Sequence, residues 1–200
     1  MCYKDEVPKL VDATERRELL AHAVWGVVRR AGLEGATVRE VAREAGVSMG
    51  SLRHYFGTQS ELLLFAMRLV MERVEQRVQA LELPDDPRQA TTVVLSELLP
   101  LDSERRAENE VWLAFTARAL VDADLRTLRD EAYDLLRAGC ERWIHLLLPP
   151  DTAAREIDLE TERLFALLDG LAVHAAMRPA RPEQLLAVLN HHVERIGAAS

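Results

Sequence analysis

Cysteine is very scarce in this sequence: Cys2 and Cys140 are the two examples among 200 residues. A disulfide framework needs more cysteines than this, and a reducing cytosol opposes disulfide formation. No Cys-x-x-Cys pair occurs, which argues against a cysteine-based zinc or redox site. Both thiols are therefore expected to be unpaired.

Long hydrophobic runs are also missing. A transmembrane helix needs about 18 or more apolar residues in succession, and no such stretch occurs. The first 19 residues lack the apolar centre of a secretory signal peptide. Hydrophobic residues still make up 48% of the chain, which suffices for a buried core. We expect a soluble, cytoplasmic protein without a membrane partner.

Proline is absent from long parts of the chain, and no segment alternates apolar and polar residues as a half-buried strand would. The eight prolines lie at positions 8, 84, 87, 100, 149, 150, 179 and 182. Because proline is excluded from helix interiors, the segments between them can be helical throughout, and their apolar residues recur at helical spacing. The sequence predicts an all-α fold of about nine helices. These are expected near residues 15–31, 38–45, 49–54, 60–83, 87–98, 103–121, 123–147, 153–176 and 182–197.

The formal net charge of −8 is unevenly distributed along the chain. Residues 1–60 carry nine Lys or Arg and eight Asp or Glu, whereas residues 61–200 carry 16 and 25. The acidity therefore lies in the second part, and the first 60 residues are free to present a locally basic face. This distribution permits binding to nucleic acid.

The most informative segment is residues 37–56, TVREVAREAGVSMGSLRHYF. Thr37 and Glu40 have the spacing of a capping box at the start of a short helix. Gly46 can supply the left-handed residue of a turn, and Ser48 can cap a second short helix. Two short helices joined by a tight turn predict a helix-turn-helix, whose second helix enters the major groove of DNA.

In this segment the sequence resembles the TetR family of transcriptional regulators. The matching positions are Thr37, Ala42, Ala45, Gly46, Val47, Ser48, Gly50, Ser51, Leu52, Tyr55, Phe56 and Leu62. The resemblance implies a three-helix DNA-binding domain at residues 1–60, with a flexible arm at about 1–13. It also implies a helical effector-binding and dimerisation domain at residues 61–200.

The resemblance also implies which residues meet DNA. The recognition surface is expected to consist of Ser48, Met49, Ser51, Arg53 and His54. Contacts to the DNA backbone are expected from Thr37, Arg39, Tyr55 and Gln59. Two positions depart from the family pattern: Arg53 replaces a tyrosine, and Gln59-Ser60 replaces Lys-Glu. Arginine suits a bidentate contact to guanine, and a glutamine can still hydrogen-bond to phosphate.

Residues 84–200 resemble, more weakly, the BetI-like subgroup of the family, in which the last two helices of each subunit form the dimer interface. The residues with spacing for such a seam are Leu164, Leu168, Leu171, Ala175, Leu185, Leu189, Val193 and Ile196; the alternative is that they belong to the core of one subunit.

The residues considered for an effector pocket are Met67, Trp112, Phe115, Tyr133, Trp143 and His174, with Arg118 or Glu110 as a charged anchor; core packing is the alternative for each aromatic.

These features predict a repressor that binds a palindromic operator as a homodimer and is released by a small-molecule effector. An architectural or division-linked DNA-binding protein without an effector is the alternative, and a helical-bundle enzyme is a remote one. Residues 46–50 match the Gly-x-Ser-x-Gly pattern of hydrolases, but a helix precedes them where that motif needs a strand. The six histidines lack HExxH and Glu-x-x-His spacing, so neither metal nor cofactor is expected.

Overall fold

The computed structural model describes residues 9–178 and 181–197. Within these ranges the chain forms nine α-helices and no strand, which confirms the predicted all-α class. The helices are α1 Lys9–Gly35, α2 Val38–Glu44, α3 Met49–Arg53, α4 Gln59–Gln79, α5 Pro87–Ser96, α6 Ser103–Ala119, α7 Ala123–Leu147, α8 Ala154–Met177 and α9 Pro182–Arg195. Of the predicted arm at 1–13, residues 1–8 lie outside the described ranges, and residues 9–13 are helical in α1.

Side-chain caps set the starts of most of these helices. Thr37 accepts a hydrogen bond from the Glu40 amide at 3.2 Å, as predicted for α2, and Asp86 and Asp102 cap α5 and α6 in the same way. Each cap satisfies an amide that the first helical turn leaves without a partner. The predicted end of the first helix at Gly32 is instead a kink at φ 69°, after which a short helical segment continues to Gly35.

The chain divides into two compact units, residues 1–69 and 70–200. The predicted domain boundary between residues 60 and 61 placed α4 from Glu61 onwards in the second domain. The start of α4 belongs to the first unit. The ring centroids of Phe65 and Phe56 are 5.0 Å apart, and the side-chain amide of Gln59 donates to the Ala36 carbonyl. In the first unit, α1 and α2 pack around a core that includes Val24, Val27, Val41 and Leu52.

The core of the second unit is formed mainly by α7, α8 and α9 together with α5. Its members include Leu95, Cys140, Ile144, Leu164 and Leu189, which are almost completely buried. The Arg88 guanidinium of α5 donates to the carbonyls of Val193 and Ile196 at the end of α9. A cation placed there satisfies free carbonyls and opposes the negative end of the helix dipole.

A buried ion-pair cluster joins the second half of α4 to α6 within the second unit. Arg77 donates to both carboxylate oxygens of Glu108, at 2.7 and 2.6 Å, and to Glu97 at 2.9 Å. Glu108 is only 4% exposed. The hydrogen bond to Glu108 is the largest influence on Arg77 and raises the pKa of its guanidinium. We call Arg77, Glu97 and Glu108 the Arg77 cluster.

The turn between α2 and α3 yields a prediction on stability. Gly46→Ala is expected to lower the free energy of unfolding by about 1–2 kcal/mol, because an L side chain is strained at the φ of +64° observed there. A Cβ would meet nothing within 4 Å, so steric clash adds nothing. The matched control is Gly50→Ala, in helical geometry, which is expected to raise the free energy of unfolding by about 0.5–1 kcal/mol. Urea unfolding followed by circular dichroism measures both; equal effects would contradict the strain argument.

The Arg77 cluster yields a second prediction. Arg77→Met is expected to lower the free energy of unfolding by about 3 kcal/mol. The buried Glu108 carboxylate would keep only the longer contact with Arg73, at 3.4 Å, from the arginines that now pair with it. The control is Arg118→Met, whose side chain is 58% exposed in its pair with Asp122, with an expected loss below about 1 kcal/mol. The double variant Arg77→Met, Glu108→Met is expected to recover most of the loss in calorimetry. No recovery would mean that the guanidinium contributes mainly by packing.

Candidate nucleic-acid interface and effector site

Two short helices and a glycine turn form the candidate nucleic-acid interface. Gly46 adopts a φ of 64° after α2, and the Val47 amide then donates to the Ala42 carbonyl at 3.0 Å. Val41, Ala42 and Leu52 are buried and pack the two helices into the core of the first unit. The geometry is a helix-turn-helix, with α3 in the position of the recognition helix.

The predicted recognition residues divide into two groups by their contacts. Met49, Arg53 and His54 are exposed. The two serines already have intramolecular partners: the Ser48 hydroxyl accepts from the Ser51 amide at 3.1 Å, and the Ser51 hydroxyl accepts from Arg16 at 2.7 Å. Met49, Arg53 and His54 therefore present exposed side chains on and just after α3, while the hydrogen bonds of the two serines fix the helix.

The predicted backbone-contact residues surround this helix. Thr37 and Arg39 are exposed at the start of α2, and Tyr55 is 48% exposed just after α3. The Gln59 side chain is partly engaged, since its amide donates to the Ala36 carbonyl at 3.1 Å. The hydrogen bond from Arg16 to Ser51 was not predicted, because the sequence does not indicate that α1 passes beside Ser51.

Two residues of the predicted effector set come together in the second unit. The rings of Trp112 and Tyr133 stack with centroids 5.3 Å apart, and Tyr133 meets Phe165 edge-on at 5.4 Å. Trp112 comes from α6, Tyr133 from α7 and Phe165 from α8. We call these three rings with Asp169 the Asp169 site, because hydrogen bonding from Trp112 and Tyr133 is among the causes that set the pKa of the Asp169 carboxyl.

Asp169 is the charged member of this site. Burial is the largest influence and raises the pKa of its carboxyl, while the hydrogen bonds from Tyr133 and Trp112 offset part of the rise. Burial also raises the pKa of the nearby Cys140 thiol to about 11, and the charge of Asp169 adds to this. Sequence reasoning missed both Asp169 and Phe165. The available signal was a single acid within the apolar run LLDGLAV at residues 167–173.

The other predicted effector residues are dispersed. Phe115 is completely buried, and Trp143 packs against the core of the second unit. His174 is exposed, and Met67 is buried in the first compact unit. The suggested anchors Arg118 and Glu110 are both exposed, and Arg118 pairs with Asp122.

The predicted dimer-seam residues occupy the core of one protomer. Seven of the eight are buried there: Leu164, Leu168, Leu171, Leu185, Leu189, Val193 and Ile196. Ala175 is half-buried and packs against the same core. Their helical spacing reflects a face that α8 and α9 turn towards their own subunit, so these side chains are poorly placed to meet a partner.

The side of α8 that faces away from this core is exposed and carries several apolar or small residues. Leu159 is 53% exposed, Ala166 and Met177 are exposed, and a Cβ added at Gly170 would meet nothing within 4 Å. Their spacing places them on one side of the helix. On α9, Val188 is 39% exposed. We call these five residues the α8–α9 outer face.

Within residues 9–178 and 181–197, none of the helices combines the length and the hydrophobicity needed to span a membrane. The same ranges contain no group of three or more His, Cys, Asp or Glu side chains arranged to hold a metal ion.

Known families and proteins resemble this chain over nearly its whole length. Residues 25–65 match the bacterial regulatory proteins of the tetR family, and residues 87–198 match the C-terminal domain of BetI-type transcriptional repressors. The HTH-type transcriptional regulator PksA of Bacillus subtilis (strain 168) is 41% identical, covering 95% of this chain and 94% of that protein.

Solved structures show the same similarity. A transcriptional regulator from Rhodococcus sp. Rha1 superposes with a TM-score of 0.77 at 35% identity, covering 90% of this chain and 95% of that one. The multidrug binding protein EbrR complexed with ethidium has a TM-score of 0.63 at 29% identity, covering 88% and 98%. The chain therefore belongs to the TetR family, and it is a DNA-binding transcriptional regulator rather than an enzyme, as its helix-turn-helix predicted.

Proposed function

We propose that this regulator represses transcription by binding a palindromic operator as a homodimer, and that a small-molecule effector releases it. The observation that carries the DNA-binding part is the exposure of Met49, Arg53 and His54 on the capped helix α3. Because its proposed target is operator DNA, we propose that it acts in the cytoplasm.

Arg53 is the proposed base-reading residue. Its guanidinium lies in the last turn of α3 and is exposed. A guanidinium forms two parallel hydrogen bonds with guanine in the major groove. Arg39, exposed near the start of α2, is proposed to contact phosphate, which adds affinity without reading sequence.

The two arginines are expected to behave differently when replaced. Arg53→Ala should weaken binding to the preferred operator by about 1–3 kcal/mol and relax the preference at one base position. Arg39→Ala should weaken binding to all sequences and reduce the salt dependence by about one ion. Arg126→Ala, at an exposed position of α7, is the control and should change neither. Oligonucleotides selected from a random pool, followed by fluorescence anisotropy, give the measurement. An unchanged base preference in Arg53→Ala would reject its role as a reader.

Two copies are proposed to meet through the α8–α9 outer face. The exposed leucine and valine side chains and the small residues Ala166 and Gly170 allow helices of two subunits to approach closely. A two-fold dimer would place two recognition helices about 34–36 Å apart, one turn of DNA. This surface replaces the buried seam that heptad spacing had suggested.

Ala166→Arg is expected to convert the protein to a monomer, because it places a long charged side chain in the middle of the outer face. Ala117→Arg, at an exposed position of α6, introduces the same group elsewhere and should leave the dimer intact. Sedimentation velocity reports the mass of each variant, and circular dichroism confirms folding. An Ala166→Arg protein that sediments as a dimer would exclude this face.

Effector control is supported by the second unit. EbrR, a related protein of the same fold, binds ethidium, and the Asp169 site offers polar and aromatic groups suited to a ligand. Trp112 lies one helical turn after Glu108 on α6, and Glu108 binds Arg77 of α4. Since α4 runs through both compact units, a ligand that favours one position of α6 can shift the equilibrium of α4. Coupling of about 1–3 kcal/mol is typical of such systems.

Operator binding measured with and without candidate ligands tests this part. A small molecule that lowers operator affinity at saturation supports the effector proposal. A protein that binds DNA and responds to no member of a broad ligand panel would instead be an architectural or division-linked DNA-binding protein.

A further inference from the structure

We propose that Arg16 of α1 is a positioning residue for DNA binding, which acts through the Ser51 hydroxyl of helix α3. Its guanidinium holds that hydroxyl so that the hydroxyl proton is available to a DNA phosphate. The proposal rests on the proposed function, in which α3 meets DNA, and it adds a residue that acts on DNA through another side chain. It stands on the hydrogen bond that joins Arg16 Nη2 to Ser51 Oγ at 2.7 Å, across 35 residues of sequence.

The chemistry of the two groups fixes the direction of this hydrogen bond. A guanidinium carries five N–H donors and no acceptor, so the Ser51 oxygen is the acceptor in its contact with Arg16. A serine hydroxyl has one proton and two lone pairs, and this contact uses a lone pair. The hydroxyl proton of Ser51 therefore remains available for a second partner.

That proton has no acceptor in the part of the chain that the structure describes. Other hydroxyls within helices of this protein behave differently: Thr91 and Thr161 each donate to the carbonyl four residues earlier, at 2.7 and 2.8 Å. This back-bond is a common internal partner for a hydroxyl in a helix. The Ser51 side chain contacts α1 instead, which leaves its proton for an acceptor outside the described chain.

Ser51 is held at both its backbone and its side chain. Its amide donates to the Ser48 hydroxyl at 3.1 Å, and its own hydroxyl accepts from Arg16. The next residue, Leu52, is completely buried and lies about 100° further around the helix axis. Burial of Leu52 and the contact from α1 thus act on two different sides of a five-residue helix, and together they set its rotation about its own axis.

The positive charge of Arg16 favours a phosphate as the outer partner of the hydroxyl. A hydrogen bond from an ionised donor is stronger than a neutral one, and it polarises the next bond in a chain. A hydroxyl polarised in this way is a better donor to an anionic oxygen than to a neutral base edge. Serine hydroxyls are also among the groups that contact DNA phosphates, and such contacts fix the register of a protein on the duplex.

A double-mutant cycle on DNA affinity tests this role in the full chain. The variants are Arg16→Met, Ser51→Ala and the two combined, measured by fluorescence anisotropy on the operator selected from a random pool and on a duplex of scrambled sequence. Arg16→Met is expected to weaken binding about tenfold when Ser51 is present. In the Ser51→Ala background its effect should be no more than about twofold, because the hydroxyl through which it acts is missing. Since every sequence carries phosphates, both duplexes should show this coupling.

Arg29→Met is the matched control, because Arg29 is an exposed arginine on the same helix and its loss changes the net charge equally. Its effect is expected to stay below about twofold and to be the same with and without Ser51→Ala. Arg16→Lys keeps a cationic donor for a contact that uses a single N–H, so affinity should stay within about threefold of the unaltered protein. Circular dichroism verifies that each variant is folded.

Three outcomes would overturn the proposal: equal losses for Arg16→Met with and without the Ser51 hydroxyl, unaltered affinity of folded Ser51→Ala, or coupling on the operator that is missing on the scrambled duplex. The first would mean that Arg16 meets DNA directly, and the third that Ser51 contacts a base. The second needs no change at Arg16, so it applies even if Arg16→Met fails to fold.

The scrambled duplex also separates this inference from the proposed function. The cycle on that duplex requires no operator preference. Operator preference in the unaltered protein without coupling between Arg16 and Ser51 rejects this inference alone. Coupling on the scrambled duplex in a protein that prefers no operator rejects the proposed repressor function alone.

Discussion

The recognition helix depends on burial of one leucine. Helix α3 has five residues, far fewer than the roughly 12 needed for a helix to persist alone in water. Leu52 is completely buried, and Ser48 caps the first turn. Arg16 adds a hydrogen bond from α1 to Ser51. The exposed side chains proposed to face DNA therefore owe their position to packing on the opposite side of a single turn and a half of helix.

Sequence reasoning predicts the helix boundaries of this chain well, because the signals that set them are local. Caps such as Thr37 and Ser48 and breaks such as Gly46 act within a few residues, so they fix the boundaries of these helices closely. Gly32 shows the limit of such local signals. The first helix was expected to end there, but the positive φ of Gly32 produces a kink instead. A local signal tells where the backbone bends but not whether the helix resumes after the bend.

Long-range arrangement could not be obtained in that way. The spacing of Leu164, Leu168 and Leu171 identifies an apolar face, but a face buried in its own subunit and one buried by a partner have the same pattern. Asp169 has its partners on α6 and α7, more than 30 residues away in sequence. Recognising that site requires knowledge of which faces of three helices converge, and periodicity along one helix does not contain it.

Helix α6 connects the features of the second unit. In less than two turns it carries Glu108, which binds Arg77 of α4, Asn109, which binds α8, and Trp112, which faces Asp169. Because an α-helix is stiff over this distance, these three contacts constrain one another's positions. In the proposed response to an effector, α6 is therefore the element through which a ligand in the second unit would bias α4.

The burial of Cys140 has a consequence for the kind of signal this domain can perceive. Its side chain is 1% exposed, and burial raises the pKa of the thiol to about 11, so the protonated thiol predominates at neutral pH. Oxidants and alkylating agents react with the thiolate form. The Cys140 thiol is therefore shielded from reagents in solution and held in its less reactive protonated form, which makes it a poor sensor of oxidants.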